Sequence, residues 1–144
     1  MIDPANVPPI DADELLARYV TQKSQYRPSD QTLKQNLFIP PPDLELSVTR
    51  HREATEEEIW KVGRDVAGAM QRTLYGRGDI RSGDCQIDSL RVEATPLLPE
   101  NPNHADVTGW PPQKQDQKAI AIKLAAAAGE LIPVPARAGA SPSL

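Results

Sequence analysis

Leu44-Glu45-Leu46-Ser47-Val48-Thr49-Arg50-His51, followed after three residues by Thr55-Glu56-Glu57-Glu58-Ile59-Trp60-Lys61-Val62 and its continuation to Gly76, is the stretch that decides the fold. In the first part Leu44, Leu46 and Val48 alternate with Glu45, Ser47 and Thr49. A period of two sends alternate side chains to opposite faces, so a strand with one buried face is expected here. Its continuation puts His51 on the polar face beside Thr49 and Arg50 on the apolar side, just where the strand runs out. In the second part Thr55 and Glu58 have the spacing of a capping box, and three glutamates lie where a helix dipole favours negative charge. Ile59, Val62, Val66, Met70 and Leu74 then recur every three or four residues, giving one apolar helix face that Gly76 is placed to terminate. Gly63 and Gly68 each weaken such a helix by about 1 kcal/mol relative to alanine. A close approach to an underlying sheet would account for both.

Toward the C-terminus, Gly76-Arg77-Gly78-Asp79 through Gly83-Asp84 reads as a long surface connection rich in turns, with a short extended piece at Ile80. Leu90, Val92 and Ala94 alternate with Arg91, Glu93 and Thr95, a second strand, and after a loop forced by Pro96, Pro99 and Pro102 a short third strand is expected over His104–Thr108. Pro111 and Pro112 precede a helix whose apolar face is Ile120, Leu124, Ala127, Ala128 and Leu131, with Gly129 as its terminator. Toward the N-terminus, residues 1–10 read as a disordered leader, and Asp11 caps a helix through Glu14, Leu15, Leu16, Tyr19 and Val20. Its apolar stripe is too narrow to stand alone, so it must dock on the body or on a partner. Residues 27–42 end in three consecutive prolines and read as a linker or wrapping arm.

The fold class is therefore α+β: a small sheet of about three strands with two to three helices packed on one face. Seven of the fifteen prolines precede Asp43, three follow Leu131, and none falls between Asp43 and Thr95. Intact backbone donors belong to regular structure, which divides the chain into an N-terminal helix and proline-rich arm over 1–42, a compact domain over 43–131, and a mobile, disordered tail over 132–144.

Charge and composition exclude several functions. A net charge of −4 supplies no overall field toward phosphate backbones or anionic lipid, which disfavours nucleic acid and membrane as partners. Cys85 is the only cysteine, so no internal disulfide can form and it reads as a small buried or half-buried residue. No apolar run reaches the roughly 18 residues of a membrane span, and Met1-Ile2-Asp3-Pro4-Ala5 lacks the regions of a signal peptide. A cytoplasmic location is expected by elimination.

The residues that could carry chemistry concentrate in Asn101–Pro112. His104 and Asp106 share a strand face, where a carboxylate can orient an imidazole for general-base work, and His51 could join them if its strand lies beside theirs. The competing reading is that both groups face water or bond to the local backbone. A two-histidine phosphoesterase needs a hydroxyl residue two positions after each histidine, and Glu53 and Asp106 stand there instead. No spacing suits a metal, no motif suits a cofactor, and neither a serine elbow nor a phosphate loop is present. Arg50, Arg77, Asp79, Trp110 and Lys114 are the candidate binding residues, with Arg50, Arg52, Arg77 and Arg81 able to gather into a small anion site. Arg77-Gly78-Asp79 itself is read as ordinary turn chemistry.

Leu46–His51, Tyr75–Asp79 and Asn103-His104-Ala105-Asp106-Val107-Thr108-Gly109-Trp110-Pro111 together resemble a group of short uncharacterised bacterial proteins, over residues 38–130. The resemblance implies a bacterial or phage-like setting among larger neighbours and carries no activity, cofactor or catalytic residue. The leading functional expectation is a non-catalytic accessory or interaction module that reaches a protein partner, or a second copy of itself, through the N-terminal arm. The alternatives are a small hydrolase or phosphoesterase using His104, Asp106 and His51, and an anion or nucleotide sensor.

Overall fold

Residues 1–136 are described by the structure, a computed structural model. The elements in chain order are β1 (Leu15–Val20), β2 (Leu46–Arg50), α1 (Glu56–Ala69), β3 (Gly76–Arg81), the single-turn α2 (Ser82–Cys85), β4 (Arg91–Ala94), β5 (His104–Thr108), α3 (Lys114–Ala128) and β6 (Ile132–Pro133). The strands form one six-stranded sheet in the order β4-β5-β2-β1-β3-β6, with every pairing antiparallel.

The α+β class is as expected, but the sheet has six strands rather than about three, and its helices cover both faces rather than one. On one face Leu16 and Val20 of β1, Leu46 and Val48 of β2, Ile80 of β3 and Val107 of β5 pack with Ile120, Ala121 and Leu124 of α3. On the other, Ala17 and Tyr19 of β1 pack against Ile59 and Val62 of α1. β1 lies near the centre of the sheet, where a helix was expected. Buried on both sides, Leu15-Leu16-Ala17-Arg18-Tyr19-Val20 is nearly continuous in apolar character, and such a run shows no alternation to distinguish it from a helix.

β3 replaces the expected surface turn. Its glycines serve close packing: a Cβ on Gly78 would stand 2.6 Å from Leu33 Cδ1, and one on Gly76 would overlap the carbonyl oxygen of Ile132. α1 has the expected capping box, Glu58 N–H donating to Thr55 Oγ1 at 3.1 Å and Thr55 N–H to Glu58 Oε1 at 2.9 Å. It ends at Ala69 instead of running to Gly76, because Gln71 takes a left-handed backbone (φ 56°) and turns the chain back. Of its two glycines, Gly63 does lie against the sheet, 2.7 Å from the Tyr19 ring if a Cβ is added, whereas Gly68 faces open space.

The N-terminal residues expected to be a leader and an arm are folded into this body. Ile2 is fully buried and its N–H donates to Asn103 Oδ1 at 2.8 Å, while Asn103 Nδ2 donates to the carbonyls of Arg50 and Arg52 at 2.7 Å each. The guanidinium of Arg50 donates to the carbonyls of Pro8 and Pro9 at 2.9 and 3.1 Å. It also makes two hydrogen bonds to the Glu14 carboxylate, at 2.9 and 2.8 Å. Farther along, Leu33, Leu37 and Phe38 enter the α3-side core, and Leu33 N–H and Leu131 N–H bridge to Gly129 O and Gln31 O. Prolines mark extended chain here, held by side chains remote in sequence. Of the expected tail, β6 lies within the described residues, and 137–144 lie outside them. No helix among the described residues is long and apolar enough to cross a membrane.

Candidate functional site: a basic cleft at the split between two strands

In-register pairing lines up His104 of β5, Thr49 of β2, Ala17 of β1 and Asp79 of β3 in one row across the α1 side of the sheet. α1 covers one end of that face, leaving polar side chains from β2, β5 and β4 around its edge. His51 and His104 are diagonal neighbours, with Cα atoms about 7–8 Å apart by sheet geometry, yet their rings turn away from each other.

His51 reaches over the small Ala17 to Asp79, its Nε2–H donating to Oδ1 at 2.9 Å. Arg77 donates to the same carboxylate from Nε at 2.9 Å and Nη2 at 3.1 Å, and forks onto Glu56 at 2.7 and 2.9 Å. The guanidinium carbon also stacks 4.7 Å over the Trp60 ring. Burial alone would raise the Asp79 carboxyl, but hydrogen bonds from His51 and Arg77 outweigh it and hold the group below its usual range. The Arg77 hydrogen bonds lower Glu56 likewise. This network fastens the first turn of α1 to β3 and the end of β2. Four Arg77 hydrogen bonds and one from His51 are spent within it.

His104 turns toward β4. Its Nδ1 lies 2.9 Å from both the carbonyl and the hydroxyl of Thr95, and that hydroxyl donates to Asp106 Oδ2 at 2.9 Å. A carbonyl only accepts, so Nδ1 carries a proton and the neutral ring keeps its lone pair on Nε2. Nε2 stands 3.8 Å from Asp106 Oδ1, an ion-pair distance without a hydrogen bond. His104 and Asp106 thus share a face as expected and are joined through Thr95. His51 does not share the cleft that His104 lines: it lines a separate depression with Asp11, Asp13 and Glu14.

The remaining sequence candidates are dispersed. Arg50 is wholly buried on the opposite face of the sheet with Glu14, Arg77 and Asp79 belong to the α1 fastening, and Arg81 pairs loosely with Asp13 at 3.8 Å. Trp110 is a core residue whose Nε1–H donates to Val107 O at 3.0 Å, and Lys114 is an exposed residue at the start of α3. Burial, helped by Asp84, pushes the Cys85 thiol up to about 12, which leaves it inert. Among the described residues no group of three or more His, Cys, Asp or Glu side chains could hold a metal ion.

Sequence reasoning missed the cleft that does contain unpaired cations. β1 and β2 pair only at Leu16↔Arg50 and Ala17↔Thr49, after which the ladder stops. Arg18 occupies the gap, donating from Nε to Leu37 O at 2.9 Å and from Nη1 to Ser47 O at 3.0 Å. Among the described residues its Nη2 has no protein acceptor and no carboxylate pairs with it. Burial without a counter-ion pulls the guanidinium down to about 10, so it is still cationic at neutral pH.

The cleft at this split has a volume of about 100 Å³, and Arg18, Gln25, Ser47, Arg72 and His104 bring its polar groups. Gln25 is buried, and its Oε1 accepts from the N–H groups of Thr21 and Gln22 at 2.9 and 3.1 Å. That fixes the amide so that Nε2 is left as an uncommitted donor. Arg72, delivered by the left-handed turn at Gln71, is exposed and forms no ion pair among the described residues. None of the described residues lining the cleft bears a carboxylate. Arg18 was hidden inside a strand read as a helix, and Arg72 inside the stretch expected to continue α1 to Gly76.

No protein-family model matches the chain, no curated protein matches its sequence, and no solved structure matches it.

Proposed function

We propose that the chain is a small accessory module, without catalysis of its own, that works by binding a small anion in the cleft between β1 and β2. The observation that carries this reading is Arg18: a guanidinium hydrogen-bonded to carbonyls only among the described residues, lining the same cleft as Gln25 and Arg72. Arg18 is half-buried and has no counter-ion among the described residues, and an anionic ligand supplies the missing charge through charge-assisted hydrogen bonds. The volume of about 100 Å³ suits one oxyanion group. It falls below the roughly 300 Å³ at which pockets for drug-sized molecules begin, which argues for a head group over a whole nucleotide.

The test is thermal denaturation with increasing inorganic phosphate at constant ionic strength. A ligand that binds only the folded state raises Tm with concentration. The rise is expected in the parent protein and should be lost in Arg18→Gln, with the exposed Arg72→Gln weakening it. Equal response of all three proteins, or none at all, overturns the proposal.

One observation favours a second reading. The Thr95 carbonyl fixes the tautomer of His104, leaving Nε2 unprotonated in the neutral ring, as a general base in the same cleft requires. Hydrolysis of a phosphate or carboxylic ester that His104→Gln abolishes would favour this reading over simple binding.

A further inference from the structure

The apolar stripe of α1 is longer than the sheet beneath it. Ile59 and Val62 are buried against Ala17 and Tyr19, but Val66 and Met70, next along the same stripe, are 37% and 47% exposed. Both line the cleft that holds Arg18, Gln25, Arg72 and His104. The helix therefore presents uncovered apolar surface beside a cleft wall of unpaired cations, and the cleft itself has room for little more than an oxyanion.

We infer that the ligand is an amphiphilic organic anion, with one oxyanion head on Arg18 and an unbranched apolar body lying along Val66 and Met70. The inference rests on the anion-binding reading above and names its ligand class. An inorganic ion would use the cations and leave the apolar ledge wet, whereas a hydrocarbon body removes that ledge from water in proportion to the area covered. Methionine suits this role because its flexible thioether side chain adapts to a chain without a fixed shape. A carboxylate and a phosphate monoester share the required chemistry, and the guanidinium of Arg18 accepts either.

Calorimetric titration of the full chain with two matched pairs separates the possibilities: acetate against octanoate, and inorganic phosphate against octyl phosphate, all below micellar concentrations. The octyl member of at least one pair should bind at least tenfold more tightly than its short counterpart, and the pair that shows it identifies the head group. In Met70→Ser, and further in Val66→Ser with Met70→Ser, that ratio should fall toward one. Short and long members binding equally overturns the inference while the anion reading stands. No binding by any of the four overturns both. Octyl binding that persists undiminished in Arg18→Gln marks adsorption elsewhere and also overturns the inference.

Discussion

Arg18 donates an N–H from Nη1 to the carbonyl of Ser47 at 3.0 Å, across the gap that opens where β1 and β2 cease to pair after Ala17 and Thr49. One side chain thereby does two things. It satisfies a carbonyl that the parted ladder leaves without a strand partner, and it brings a positive charge to the floor of a cleft whose described lining has no carboxylate. The ion pairs elsewhere on the sheet are closed: Arg77 is held by Glu56 and Asp79, and Arg50 by Glu14.

The buried Arg50–Glu14 pair straps the N-terminal segment to the sheet. Glu14→Gln leaves a fully buried guanidinium without its counter-charge and is expected to cost about 3–5 kcal/mol. Ile2→Ala, at the other end of the same segment, should cost about 2–5 kcal/mol through lost burial and the cavity left behind. Urea denaturation measures both. Losses below about 0.5 kcal/mol, the scale of an ordinary surface change, would mean that the segment is not part of the folded core.

The two glycines of α1 should respond in opposite directions. Gly68→Ala adds a methyl into open space and should stabilise the helix by about 0.5–1 kcal/mol. Gly63→Ala drives a Cβ to 2.7 Å from the Tyr19 ring, whose hydroxyl is fixed to Ile59 O, and should destabilise by about 1–3 kcal/mol. Thermal melts of the two variants give the signs directly, and a stabilising Gly63→Ala would contradict the packing of α1 on β1.

Asp79 makes stability depend on acid. Its carboxyl is held below the ordinary range in the folded chain, so its contribution is complete above the unfolded value of about 4 and is lost as pH falls through the depressed folded value. The stability difference between the parent protein and Asp79→Asn should be largest near neutrality and shrink below about pH 4. Urea titrations at several pH values test this, and a difference that grows on acidification would contradict the sign.

The sequence makes legible those elements whose two sides differ. β2, β4 and β5 alternate because their apolar side chains face the α3-side core and their polar ones the other face, and α1 carries an explicit start signal in its capping box. β1 lacks alternation because α1 and α3 bury both its faces, and β3 is disguised by glycines that Leu33, Leu131 and Ile132 require. The leader and arm are fixed by Asn103, Arg50 and Gly129, partners too remote in sequence for local pattern to reveal. Half of the candidate site was visible, since His104 and Asp106 do share a face. The cleft was not, because Arg18 depends on a strand split that only the three-dimensional pairing defines.

Arg18 offers the most direct test of the account. Its Nε–H is held by the Leu37 carbonyl, which slows exchange with water and gives the group a resolvable signal in a nitrogen–proton correlation spectrum, assignable by its absence in Arg18→Gln. On addition of phosphate at constant ionic strength, the account predicts a saturable shift of that signal, with the Gln25 side-chain amide moving along the same binding curve. An Arg18 signal that stays in place while phosphate is added, or drifts linearly with the signals of exposed arginines, would contradict it.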